Sequence, residues 1–209
     1  MNRLRWFPVV CALGLAAAAG CHKEATQEAA QSSDQPAASS AAATPAPAAT
    51  PAPAATPAAS ATAKATLKAA AGDKPAGTVA FAQQPDGVHV VVDLSGATPG
   101  KHGLHIHQNG ECTPPFKTAG DHFNADHHDH ACSPTPSRHT GDIGNVEVGA
   151  DGNGHWEGVV DQISLTDPAH QITGKSVILH AKEDDCKTQP TGASGDRIAC
   201  GVIETAPPQ

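Results

Sequence analysis

From about residue 78 onward, apolar and polar residues alternate in a series of short runs, and no sustained helical period interrupts them. Residues 78–82 and 88–94 are rich in β-formers and flank the turn Pro85-Asp86-Gly87. Across 104–108, Leu104, Ile106 and Gln108 share one face while His105 and His107 share the other. Residues 145–148 and 155–160 flank Asp151-Gly152-Asn153-Gly154, a strong hairpin signal. Residues 176–180 and 198–203 complete the strands. Short strands separated by Gly, Pro and Asp turns predict an all-β antiparallel sandwich or barrel. Two segments break the rhythm, 110–141 and 181–196. Long irregular loops on a compact β domain usually carry function.

The first 64 residues follow a different rule. Arg3 and Arg5 precede an apolar run at 7–19, too short for a comfortable membrane-crossing helix, and Ala18-Ala19-Gly20 leads into Cys21. Residues 1–21 therefore read as an export signal. Its end resembles the lipobox of bacterial lipoproteins, which implies cleavage before Cys21 and lipidation of its sulfur. Residues 22–64 carry Thr-Pro-Ala-Pro-Ala-Ala from Thr44 and again from Thr50, with a third copy starting at Thr56. Almost nothing there could offset chain entropy by burial, so the segment reads as a disordered Ala/Pro/Thr-rich tether. At about 3.1 Å per residue a fully extended tether would reach on the order of 100 Å. The folded domain is then 65–209.

Charge and cysteine content narrow the picture. Of the 209 residues, those from 65 onward hold nine Lys and Arg against eighteen Asp and Glu, nine minus eighteen giving −9. An acidic domain argues against a nucleic-acid partner. With no Tyr and few aromatics, the core must be built from Val, Ile, Leu and Ala. Of six cysteines, Cys11 leaves with the signal and Cys21 ends it; Cys112, Cys132, Cys186 and Cys200 remain. An even number in an exported domain suggests two disulfides, and spacing alone permits three connectivities.

Histidine supplies the candidate chemistry. Eight of the 13 histidines lie between His102 and His139. His105 and His107, two apart on a strand, can chelate one metal, with His122 and His180 as further donors. His130, His139 and Asp142 form a second set with His122 at its head. One imidazole can bridge two metals through its two nitrogens. Four nitrogens in a roughly square arrangement suit Cu(II), and three nitrogens with a carboxylate suit tetrahedral zinc. On chemistry alone His127 and His128 compete with His130. His102 reads as structural, and Lys182 and Lys187 read equally well as surface lysines or as steering charges.

Several motifs in order resemble the copper/zinc superoxide dismutases, in their bacterial periplasmic form. They are Gly103-Leu-His-Ile-His107, Ala119-Gly-Asp-His-Phe-Asn124, Arg138-His-Thr-Gly-Asp-Ile-Gly-Asn145, Val177-Ile-Leu-His-Ala-Lys-Glu-Asp-Asp185 and Gly195-Asp-Arg-Ile-Ala-Cys-Gly-Val-Ile203. The resemblance implies an eight-stranded Greek-key β-sandwich or barrel with two long functional loops. It implies copper on His105, His107, His122 and His180, and zinc on His122, His130, His139 and Asp142. The last three fall eight, 17 and 20 residues after His122, as in the family. Asp184 matches a carboxylate linking a copper histidine to a zinc histidine. Arg197 matches the guanidinium that docks the substrate, and Thr191 a residue narrowing the channel. Cys112 and Cys200 match the family disulfide; Cys132 and Cys186 would then be left to pin one loop to the other.

The implied reaction is dismutation of superoxide to oxygen and hydrogen peroxide by copper redox cycling, with His122 and Arg197 as the catalytic residues. The implied setting is the periplasm or cell envelope, with a membrane anchor through Cys21, where the enzyme would limit oxidative damage. A copper- and zinc-binding periplasmic protein without dismutase activity is the alternative. Oligomeric state stays open between monomer and homodimer. The substrate is an anion and the domain is acidic, so attraction must be local, from Arg197 and the metal site. Pro190 stands where familiar relatives carry a steering lysine.

Overall fold

A computed structural model describes residues 61–72 and 74–207; the expected signal, Cys21 and nearly all of the expected tether lie outside the described residues. Eight antiparallel strands close into a barrel. They are β1 Thr62–Ala69, β2 Ala76–Gln84, β3 Gly87–Ser95, β4 Gly100–His107, β5 Asp142–Val148, β6 Asn153–Val160, β7 Ser176–His180 and β8 Arg197–Ala206. Around the barrel the order is β1-β2-β3-β6-β5-β4-β7-β8, the crossover from β3 to β4 giving the Greek-key connection. Among the described residues the one helical element is a 3-10 turn, Lys117–Ala119.

Alternation builds the core. Val88, Val90, Val92 and Leu94 of β3 point inward, as do Val79 and Phe81 of β2 and Leu104 and Ile106 of β4. The β2–β3 hairpin closes over Pro85-Asp86, with Gln84 paired to Gly87. The β5–β6 turn uses Gly152 at φ 79, a left-handed position that glycine occupies without strain. Asp151 Oδ1 accepts the Asn153 amide there at 3.0 Å.

β1 was not legible in the sequence and begins at Thr62, inside the expected tether. Ala63, Ala65 and Leu67 are buried and the intervening residues exposed. Two of the three inward residues are alanines, so the alternation merges with the Ala-rich run before it. The strand is fixed by long-range pairing to β2 and β8 rather than by its own propensity.

β4, β7 and the start of β5 sit side by side, and β4 is buried on both faces at its end. Leu104 and Ile106 face the core. His105 and His107 face the two long connections, 108–141 between β4 and β5 and 181–196 between β7 and β8.

Candidate metal centre

Six histidines and one aspartate converge beneath the two loops. The donor atoms of His105, His107, His122 and His180 lie within 4.8 Å of one another, as do those of His122, His130, His139 and Asp142. All seven residues are buried. Strand ends supply His105 and His107 on β4, His180 on β7 and Asp142 on β5. Register shifts at Leu104/His105 and Leu179/His180 re-aim two of these side chains. His122 joins them through an isolated bridge to His107. Loop 108–141 contributes His130 and His139.

The hydrogen bonds leave one pattern of bare nitrogens. His107 Nδ1 donates to Gly120 O at 2.9 Å and His180 Nδ1 to Gly195 O at 3.2 Å. His105 Nε2 donates to Asp184 Oδ2 at 2.6 Å. The opposite nitrogens, His107 Nε2, His180 Nε2 and His105 Nδ1, have no hydrogen-bond partner among the described residues, and neither does His122 Nε2. Four buried acceptors without donors are costly unless a cation sits among them. The second nitrogen of His122, Nδ1, lies 2.8 Å from Asp142 Oδ1 and 3.4 Å from His139 Nδ1. His130 donates from Nε2 to Asp184 Oδ1 at 2.9 Å. Its Nδ1 lies 2.9 Å from Asp142 Oδ2, yet without hydrogen-bond alignment. Two acceptors face each other there, which needs a proton or a metal between them. The residues therefore fit two cations sharing His122.

Protonation agrees. Burial, reinforced by nearby imidazoles, pushes His122 down to about 4 and His180 to about 3, and holds His107 well below the usual imidazole range. Neutral imidazole is the metal-binding form. Burial also opposes charge on His130, but hydrogen bonds to Asp142 and Asp184 outweigh it and raise that group to about 9. Burial pushes the Asp142 and Asp184 carboxyls up, while hydrogen bonds from the surrounding histidines hold both below the usual carboxylate range.

Arg197, first residue of β8, borders a cavity of about 260 Å³ together with His122, His127, Asp121, Pro190 and Thr191. Its Nη1 donates to Phe116 O and its Nη2 to Gly120 O, both at 2.7 Å. Lys182 and Lys187 are exposed and do not border this cavity. His127 is exposed and His128 half-buried, and neither joins the two donor sets. His102 is structural: its Nδ1 donates to His180 O at 2.8 Å.

Both remaining cysteine pairs are bonded, Cys112–Cys200 and Cys132–Cys186. Three supporting residues were given no role by the sequence. Asn145 grips the Asp184 backbone twice, donating to its O at 2.9 Å and accepting its N–H at 2.8 Å. Gln189 grips the His130 backbone in the same way. Arg138 is fully buried, donates to Thr135 O and Asp142 O, and pairs with Asp161. Its place beside His139 was the one available hint.

The family profile described as copper/zinc superoxide dismutase matches residues 75–203. A superoxide dismutase [Cu-Zn] of Onchocerca volvulus is 38% identical over 143 residues, covering 63% of this chain and 90% of its own length. One of Deinococcus radiodurans is also 38% identical over 143 residues, covering 63% of this chain and 78% of its own. A crystal structure of the clock protein EA4 superposes with a TM-score of 0.65 at 36% identity, covering 71% of this chain and 97% of that one.

Proposed function

The chain belongs to the copper/zinc superoxide dismutase family, and on that premise we propose which residues carry its reaction and where the enzyme works. It is an oxidoreductase that converts superoxide to oxygen and hydrogen peroxide with copper and zinc as cofactors. His105, His107, His122 and His180 hold copper, and His122, His130, His139 and Asp142 hold zinc. The observation that carries this reading is the four inward nitrogens without donors, each on a ring whose other nitrogen is engaged. Four nitrogens suit copper, and three nitrogens with an oxygen suit zinc.

Copper supplies one-electron redox chemistry and zinc fixes and polarises the shared imidazole. The chain's own residues do the rest. Asp184 holds the His105 and His130 rings at fixed orientation. His122 Nε2 lies among the copper donors and His122 borders the cavity, so a proton held at that nitrogen can pass directly to the product. Arg197 presents its guanidinium to an incoming anion, its remaining N–H groups free of the two carbonyls that fix it.

Superoxide turnover and metal content measured on one sample of the full chain test this reading, with about one copper and one zinc per chain expected. Both metals without turnover would instead favour a metal-storage protein. Arg197→Ala should slow turnover about tenfold or more at low ionic strength, since a charged contact contributes roughly 1.5–3 kcal/mol. An unchanged rate refutes the docking role.

The enzyme works in the cell envelope, tethered through a lipid on Cys21, and limits oxidative damage there. The signal-like residues 1–21, the Ala/Pro-rich spacer and two disulfides in one domain support an oxidising, exported setting. Cys21→Ser is expected to move the protein from the detergent phase to the aqueous phase on phase separation of cell extracts. A wild-type chain already confined to the aqueous phase ends the anchor proposal.

A further inference from the structure

The second loop holds the zinc half of the centre from outside. Gln189 Oε1 accepts the His130 amide at 2.7 Å and its Nε2 donates to His130 O at 2.8 Å. Two residues past His130, Cys132 is bonded to Cys186 in the second loop. The Cys186 amide donates to Asp184 Oδ1 at 2.7 Å, the same oxygen that receives His130 Nε2. Cys186 sits at φ 59, a left-handed conformation that a side-chain-bearing residue keeps only where its surroundings impose it. The backbone of the same loop closes over this bond: a Cβ on Gly192 would fall 2.0 Å from Asp184 Oδ1 and 2.6 Å from His130 Nε2. Every one of these contacts bears on His130 or on the carboxylate that orients it. Neither Gln189 nor the disulfide touches His107 or His180, and Asp184 holds the one copper donor it orients, His105, through its other oxygen, Oδ2.

We propose that Gln189 and the Cys132–Cys186 bond are positioning residues for zinc, a clasp that keeps the zinc pocket closed and slows the metal's release. The inference rests on the zinc assignment above and adds a function for residues that bind no metal. His130 belongs to the zinc set alone, so opening the clasp frees zinc in preference to copper. Reduction by a dithiol opens the same clasp: the reductant's two thiols are oxidised to a disulfide, and Cys132 and Cys186 each gain a proton and an electron. Cys132 and Cys186 are half-buried, within reach of a small thiol.

The test is zinc transfer from the loaded full chain to a chromophoric chelator, with copper retention followed on the same sample by its visible absorption. Cys132→Ser/Cys186→Ser is expected to release zinc about tenfold faster than wild type, in line with the loss found when a metal's outer partners are removed. Gln189→Ala is expected to release it about threefold faster, as for loss of net hydrogen bonds at an exposed side chain. Copper loss should stay within about twofold in both. A general loss of stability cannot mimic this, because it would loosen both metals together. Gln189→Ala, which leaves both disulfides intact, covers the case in which the double serine variant fails to fold. Zinc release at the wild-type rate in both variants, or equal acceleration for zinc and copper, overturns the clasp. A wild-type chain that takes up no zinc sinks the zinc assignment and the clasp with it, whereas wild-type zinc held equally well by the variants sinks the clasp alone.

Discussion

Alanine at His180 should lower superoxide turnover about a hundredfold or more and empty the copper site, while zinc stays near one per chain. Removing a partner that only orients a metal ligand costs about 10–100-fold in affinity or activity, and removing the donor itself costs at least as much. His180 sits at the last position of β7 with 3% of its surface exposed, so alanine there removes a buried donor held in place by the strand. Its Nε2 is one of four bare nitrogens, and its donor set excludes His130, His139 and Asp142. The strand itself should survive the change, because His102 Nδ1 donates to the backbone oxygen of residue 180, which alanine keeps. His139→Ala is the natural counterpart. It removes a donor from the other set only, so zinc should be lost and copper kept. Metal content by mass spectrometry alongside turnover decides the matter. Full copper occupancy with turnover within about threefold of wild type would remove His180 from the site.

The difference between those two variants could be planned from the sequence, because the ligands announce themselves locally. His105 and His107 share a strand face, and the offsets from His122 implied by the family resemblance favour His130 over His127 and His128. The same holds for seven of the eight strands, β2 to β6 marked by alternation or turn residues and β7 and β8 by short runs rich in Val and Ile. β1 failed for a physical reason: alanines at 63 and 65 are inward in the barrel but indistinguishable from the alanines of the preceding repeat. The supports of the centre failed for another. Asn145 reaches Asp184 across 39 residues and Gln189 reaches His130 across 59, and an amide that clamps a distant backbone looks in sequence like any solvated Asn or Gln. Pairing of Cys132 with Cys186 was open on spacing, since only the closed barrel brings the two loops together. What a sequence shows best is chemistry carried by rare residue types at fixed spacing; what it hides is the hydrogen-bonded frame that common residues build around them.

That frame gives the other large expected effect. Cys112→Ser/Cys200→Ser should cost the metal-free protein about 4 kcal/mol of unfolding free energy, measured by denaturant titration. The two cysteines are 88 residues apart, and chain entropy for a closed loop of that length is worth roughly 4–5 kcal/mol in the unfolded state. Stability is only part of the consequence. The bond fastens the segment that begins at Cys112 to β8, the strand that opens with Arg197. That segment supplies the carbonyls of Phe116 and Gly120 on which the Arg197 guanidinium rests. Gly120 O also receives His107 Nδ1, so a single carbonyl registers Arg197 against the imidazole proposed to hold copper. Freed from β8, the segment can shift both groups at once, and turnover of the metal-loaded variant should fall several-fold even where it remains folded. The loss should resemble that of Arg197→Ala, larger at low ionic strength and fading as salt screens the docking charge. A destabilised variant with wild-type turnover at every ionic strength would show that the carbonyls keep Arg197 in place without the disulfide, and that Cys112–Cys200 serves stability alone.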